Sequence, residues 1–200
     1  FEMSYKHDFL YRNMHHGNIL APLEVTGYNP ITVIKESIVV EENDLRVTAF
    51  TVNHSPVEPA FGFRFDYKDR SIVISGDTTI NDNVIKNAKN ADVLIHEAQS
   101  NKMVELARKE LELNNQINEK LFEDIKDYHT TPKDAARVAK KAGVDHLILN
   151  HLSPAPDGYI PEQIFTRGLS KIFPNWTLAK DGTMIILPVD SNKIQITNID

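Results

Sequence analysis

Four short apolar runs constrain this chain most, because each closes on a side chain that can hold a metal or move a proton. They are VTAFTVNH ending at His54, SIVISGD at Asp77, VLIHE at His96 and Glu97, and HLILNH at His151. Strand-like runs alternate with helix-like segments, with β-hairpins at both sides, so the pattern predicts an α/β fold with a mixed sheet. In an open sheet of that kind the carboxyl ends of the strands share one rim, and their loops form the cleft there. Two His and one Asp on such a rim suit zinc or another first-row divalent ion, which takes imidazole nitrogen and carboxylate oxygen.

Other segments can be placed around these runs. Aromatic and Leu residues at near-helical spacing predict a helix over Phe1–His16, ending near Gly17, and Pro22–Pro30 carries turn chemistry. The stretch from Ile31 to His54 is rich in β-formers, with a turn at Glu42–Asp44. AFGFRFDY should pair with SIVISGD across a turn at Lys68–Arg70. A short helix over Thr79–Asn90 takes Asn81 or Asp82 as its cap. Ser100–Lys126 has the apolar spacing of a long amphipathic helix or helix pair. TTPKDAARVAKKAG carries a full helix signature: a Thr130 or Thr131 cap, Pro132 in the first turn and Gly143 at the close. Glu162–Ile172 predicts another helix, and TLAKDGTMIILP a final hairpin.

Composition limits the functions open to such a fold. Two hundred residues, 41% hydrophobic and 25% charged, make one soluble globular domain with a substantial core. With 22 Lys and Arg against 28 Asp and Glu the net charge is −6, and no basic block occurs, which weakens broad sequence-independent nucleic-acid binding. Cysteine is absent, excluding disulfides and thiolate zinc sites. No apolar run reaches the roughly 18 residues of a membrane span, so no membrane partner is expected. Nothing resembling a signal peptide precedes Phe1, and a cytoplasmic location is expected over a periplasmic one.

The chemistry falls to five residues. Asp77, in Ser-Gly-Asp-Thr, reads as a metal ligand able to bridge two ions, with Gly76 allowing close backbone approach and the Thr hydroxyls behind it fixing the carboxylate; its alternative is the N-cap of the next helix. His54 and His151 on the same rim read as further ligands. His129 in DYHTTP, opening a helix, pairs with Glu97, because a carboxylate on one ring nitrogen fixes the tautomer and raises the basicity of the other. Such a His can protonate a leaving group or stabilise developing charge. His96 points away from Glu97 in its strand and is expected to be buried and structural. His146 is expected at the surface, and His15–His16 do not share a helix face.

Taken in order, VNHSPVEPAFGFRF, SGDTTIND, ADVLIHEAQS and YHTTPKDAARVAKKAGVDHLILNHLSP resemble the metallo-β-lactamase-fold hydrolases, most of all the branch of ribonuclease Z and the arylsulfatase-like or phosphodiesterase-like enzymes. The resemblance runs from about Val47 to Pro154, and the closing DGTMIILP is similar to that branch's terminal hairpin. It implies an αββα sandwich and a two-metal site, with zinc expected and manganese or iron as alternatives. His54 and His151 would each complete the ligand set of one ion, Asp77 would bridge the pair, and His129, oriented by Glu97, would be the acid. Water held between the ions would attack a phosphodiester, sulfate or related ester.

One departure matters. Members of that family carry a His-x-His-x-Asp-His cluster upstream, and the only upstream histidines here, His7, His15 and His16, have the wrong spacing. The expectation is therefore a single domain over residues 1–200 that forms the C-terminal part of a larger one and partners with an N-terminal half. Alone it would bind metal weakly, and its exposed sheet face could pair in a homodimer. The short Lys68–Arg70 link and the acidic charge disfavour tRNA and favour a small-molecule ester. The rival reading is a non-catalytic assembly lobe. A phosphoacceptor domain built on Asp77 lacks the acidic pair and strand-end Lys that it needs.

Overall fold

The computed structural model describes residues 33–113 and 125–199. The helix expected at Phe1–His16, the Pro22–Pro30 turns and the second half of the Ser100–Lys126 segment lie outside the described residues. Seven strands form one mixed sheet in chain order: β1 (Glu36–Glu42), β2 (Leu45–Val52), β3 (Ala60–Tyr67), β4 (Arg70–Ile74), β5 (Val93–Gln99), β6 (His146–Ser153) and β7 (Trp176–Leu178). Strands β1 to β4 are antiparallel, joined by tight turns wherever the link is short. Asn43 and Asp44 turn β1 into β2 with φ of 48° and 64°, the left-handed pair that suits a two-residue hairpin. From β4 to β7 the pairing is parallel, which requires crossovers. Helix α1 (Asp82–Asn87) makes the first, and α2 (Asn101–Leu113) with α3 (Pro132–Ala142) makes the second. A shorter helix, α4 (Tyr159–Phe165), and a 3-10 turn at Leu169–Lys171 lead to β7.

The caps explain where the helices sit. Thr131 accepts from the Asp134 N–H at the start of α3, Pro132 follows, and Gly143 ends the helix at φ 70°. Ala135, Ala136, Ala139 and Ala142 then let α3 lie close on the sheet, against Leu94, Leu147 and Leu149. Each fully buried Leu contributes about 2 kcal/mol in area terms. Register places the opposite face just as clearly: Phe63 pairs with Ile74 and Phe65 with Ile72, and these side chains are only half-buried. The large sheet is therefore apolar on both faces, with a helix layer on one. Strands β8 (Thr183–Ile186) and β9 (Gln195–Asn198) form a separate two-stranded sheet. The buried Arg70 links that end to the sheet: it pairs with Asp92 at 2.9 Å and donates to the carbonyls of Ser191 and Lys193. No helix among the described residues is long and apolar enough to cross a membrane.

Three expectations are corrected. The helix over Glu162–Ile172 is two pieces, because Gly168 at φ 85° breaks the chain between α4 and the 3-10 turn. TLAKDGTMIILP is not a hairpin: its first half joins the large sheet beside β6, and its second half pairs with residues near the C-terminus. His96, Glu97 and His151 lie within β5 and β6 rather than at their ends, and His129 sits in a bend three residues before α3.

Candidate metal centre

Each candidate residue is held by a distinct local device. Strand β2 stops at Val52, and His54 follows in the turn, buried, with its Nδ1–H donating to the Tyr128 carbonyl at 2.8 Å. Because a carbonyl only accepts, that bond fixes the tautomer and leaves Nε2 with the lone pair a metal needs. Asp77 comes three residues after β4. Gly76 before it adopts φ 63°, and a Cβ there would lie 2.2 Å from the Phe61 carbonyl oxygen, so the close approach read from the sequence is real. Asn81 caps α1, so Asp77 is free of that duty. The Thr78 hydroxyl does not hold Asp77; it accepts from the Asn53 N–H at 3.2 Å and ties the His54 and Asp77 loops together.

His151 is placed by a bulge. Glu97 pairs with Asn150 and Ala98 with Leu152, leaving His151 unpaired in the ladder at φ 42°. A non-glycine residue in that region costs on the order of 1–3 kcal/mol, and bulges re-aim side chains. Here the result is that His151 Nδ1 lies 3.0 Å from Asp77 Oδ1.

Glu97 forms the floor. It is 1% exposed, and its Oε1 accepts from the backbone N–H of Thr130 at 2.8 Å and of Thr78 at 3.3 Å. Its Oε2 has no hydrogen-bond partner among the described residues. His129 Nδ1 is 3.2 Å from Oε1, within ion-pair range but off the line of a hydrogen bond. The His129 ring centre lies 5.0 Å from that of His54 and 5.8 Å from that of His151. All five side chains singled out in the sequence thus gather on one rim: His54 and Asp77 just past β2 and β4, Glu97 and His151 within the last few residues of β5 and β6, and His129 from the bend before α3. Glu97, His129 and His151 bring ligand atoms within 4.8 Å of one another.

Burial grades across the cluster: Glu97, His129 and His54 lie inside, while Asp77 and His151 form a lip at 40% and 54% exposure. Burial pushes the His54 imidazole below its usual range. Burial works to raise the Asp77 carboxyl, but the His151 N–H and charge, with His54 and His129 beyond, hold it below normal. The Asp77 carboxylate in turn raises His151. Imidazole nitrogens and carboxylate oxygens together, with one buried carboxylate oxygen unpartnered, form a donor set that fits zinc, manganese or iron.

His96 is fully buried with Nδ1–H on the Glu97 carbonyl at 2.8 Å, as expected of a structural histidine. His146 is not a plain surface residue: it is half-buried, with Nε2 2.9 Å from Thr177 Oγ1 of β7. Sequence reasoning missed the Tyr128 carbonyl and the Thr78 and Thr130 amides, since backbone groups leave no signature in side-chain type. His7, His15 and His16 lie outside the described residues.

The chain is similar to several known proteins. Ribonuclease Z of Mycobacterium bovis is 30% identical over 154 residues, which are 76% of this chain and 49% of that protein. Ribonuclease Z of Mycobacterium sp. strain KMS is 30% identical over 147 residues, 74% and 47% of the two chains. The chain therefore spans about half the length of the curated relatives it matches. The metallo-beta-lactamase fold protein YhfI from Bacillus subtilis superposes with a TM-score of 0.50 at 20% identity, over 70% of this chain and 49% of that one. These names give no support to the expectation that tRNA is disfavoured. Residues 4–152 match the family described as the beta-lactamase superfamily domain, and with the mixed sheet, its helices and the strand-end cluster they establish that the chain belongs to that superfamily, in its metallo-β-lactamase fold.

Proposed function

We propose that this chain forms the C-terminal part of a metal-dependent hydrolase that cleaves phosphodiester bonds, with RNA as the favoured substrate class. The observation that carries the reading is one chain of contacts: Glu97 against His129, His129 beside the rings of His54 and His151, and His151 on Asp77, with ligand atoms of Glu97, His129 and His151 within 4.8 Å of one another. The relatives named ribonuclease Z support the choice of bond and substrate. In this reading His54 through Nε2, Asp77 and His151 would hold divalent metal, zinc first and two ions in all. Bound metal supplies positive charge for the developing oxyanion and for activating water. Asp77 has two oxygens, so it can serve two ions at once.

His129 is the proton donor. Its Nδ1 faces Glu97 Oε1, so the proton it gives to a leaving alkoxide comes from Nε2. Glu97 is fixed by two backbone amides and acts by positioning that ring, whose Nδ1 lies 3.2 Å from its Oε1. The exposed lip of Asp77 and His151 gives the ester access, and His129 lies mostly buried behind it. The domain would be one part of a larger metallo-β-lactamase unit, as its coverage of half its relatives' length supports.

The test is turnover of bis(p-nitrophenyl) phosphate and of p-nitrophenyl sulfate with added zinc or manganese. Metal-dependent phosphodiester cleavage, lost in His129→Ala, is expected. Cleavage of the sulfate alone would overturn the choice of bond. A second reading is favoured by the half-buried Phe61, Phe63, Phe65, Ile72 and Ile74: an assembly lobe that turns over substrate only once that face is covered. Turnover by monomeric chain, as sized by light scattering, would exclude it.

A further inference from the structure

An open groove of about 930 Å³ begins where the metal centre ends. Glu97 and Gln99 are two apart in β5, so both side chains leave the same face of the strand. Thr130 closes over Glu97 with its N–H, and Thr131, the next residue, lines the groove together with Gln99. The far wall is α4, with Tyr159 at 76% exposure, and the segment after it reaches Arg167.

Its charge runs against that of the molecule. In a chain of net charge −6, the groove is lined by Lys102, Lys133 and Arg167, and no carboxylate lines it. Neighbouring acids are committed elsewhere: Glu162 to Lys180, Glu105 to Arg108 and Lys126, and Asp134 to Arg137. The three groove cations have no ion pair among the described residues. Lys133 is stretched across Gly168, where a Cβ would lie 3.3 Å from its Cε, which brings it toward the Arg167 segment. Cations that line one groove without counter-charge favour an anionic ligand there.

A second observation narrows the ligand. Gln99 is 1% exposed and donates through Nε2 to the Ile125 carbonyl at 2.7 Å and to Asn101 Oδ1 at 3.0 Å, so its amide cannot flip. Its Oε1 is buried with no donor. A buried acceptor left unpaired is costly, and a hydroxyl donor that reached it from the groove Gln99 lines would satisfy it. Tyr159 adds a flat aromatic face in solvent.

Phosphates for three cations, a hydroxyl for Gln99 Oε1 and a planar base for Tyr159 are the parts of a ribonucleotide strand. We infer that this groove is a binding subsite for the single-stranded RNA that flanks the scissile phosphodiester. Lys102, Lys133 and Arg167 take its phosphates, Tyr159 stacks a base, and Gln99 accepts from a 2′-hydroxyl. The inference deepens the phosphodiesterase reading and rests on it for placing the scissile bond at the metal centre.

The experiment is fluorescence anisotropy of the full chain with a fluorescein-labelled eight-residue oligoadenylate, in EDTA so that the metal centre takes no part. Three phosphate contacts predict a slope of log affinity on log salt of about −2. The triple variant Lys102→Glu, Lys133→Glu, Arg167→Glu changes only exposed side chains; it should lose about tenfold or more in affinity and most of the salt slope. Tyr159→Ala should lose about tenfold by itself. Reversal of Lys89, Lys140 and Lys141, exposed elsewhere, should change affinity less than about twofold. The deoxy strand of the same sequence should bind more weakly than the ribo strand. No binding by the wild type, equal loss in the control triple, or equal affinity for the deoxy strand would each overturn the assignment. Because EDTA is present, failure here leaves the metal centre standing, and failure of metal binding leaves this result readable.

Discussion

Gly76→Ala tests how the fold delivers Asp77, and the magnitude follows from two terms. The residue sits at φ 63°, where an L side chain costs about 1–2 kcal/mol. The added Cβ would also lie 2.2 Å from the Phe61 carbonyl oxygen, well inside any real contact, so strand β3 and the Asp77 loop must part by roughly 0.8 Å. Overpacking of that kind costs about 1–3 kcal/mol more, giving about 3 kcal/mol in all. Gly143→Ala is the matched control. Its φ is 70°, but the nearest atom to its Cβ is Asn90 Oδ1 at 3.4 Å, which is ordinary contact. Only the conformational term of about 1 kcal/mol then applies. Urea unfolding of both variants, followed by circular dichroism, reads the difference as a shift in midpoint at constant slope. Gly76→Ala should also weaken divalent-metal binding, since Asp77 is the next residue, whereas Gly143→Ala should not. Equal stability losses in the two variants would refute the claim that the Phe61 carbonyl, rather than the left-handed conformation alone, demands glycine at 76.

Other outcomes follow from the same geometry. His129→Ala should keep metal binding and lower the rate of phosphodiester cleavage by about 10²–10⁴, whereas His151→Ala should lower both. Breaking the buried Arg70–Asp92 pair with Arg70→Ala should cost about 3–5 kcal/mol, and limited proteolysis should then cut near Ser191–Lys193, whose carbonyls Arg70 holds. Burial keeps His96 neutral in the folded chain to lower pH than the ordinary value of 6.5. Above that pH both states are neutral and stability does not respond; below it the unfolded chain takes up a proton the fold refuses, so stability falls with pH. In His96→Gln the slope of urea midpoint on pH between 7 and 5 should flatten, and an unchanged slope would remove His96 from the account.

Much of this was legible in the sequence because the devices are local. The hairpin at Asn43–Asp44, the Asn81 cap, the Thr131–Pro132–Gly143 frame of α3 and the alternation in AFGFRFDY each depend on residues a few positions apart. The five site residues could be picked out for a related reason: polar side chains ending apolar runs are conspicuous. Their distances could not be read. His151 reaches Asp77 through a bulge opposite the Glu97–Ala98 step, and nothing in HLILNH distinguishes a bulged His from a paired one. Likewise Trp176–Leu178 looks like half a hairpin until β6 offers it an edge, a choice made by tertiary pairing and not by propensity. The groove beside the metal centre was invisible for the same reason, since Lys102, Lys133 and Arg167 come from three separate elements.

The central claim is that these histidines and Asp77 form one divalent-metal site, and imidazole ¹⁵N NMR during a zinc titration tests it most directly. Before metal, His54 should appear as the Nδ1–H tautomer, because that proton is held by the Tyr128 carbonyl. On titration the resonances of His54 and His151 should move together and saturate together, His96 should stay fixed, and Asp77→Ala should abolish the movement. This readout works for weak as well as tight binding. Resonances of His54 and His151 that stay in place while other histidines respond would contradict the account.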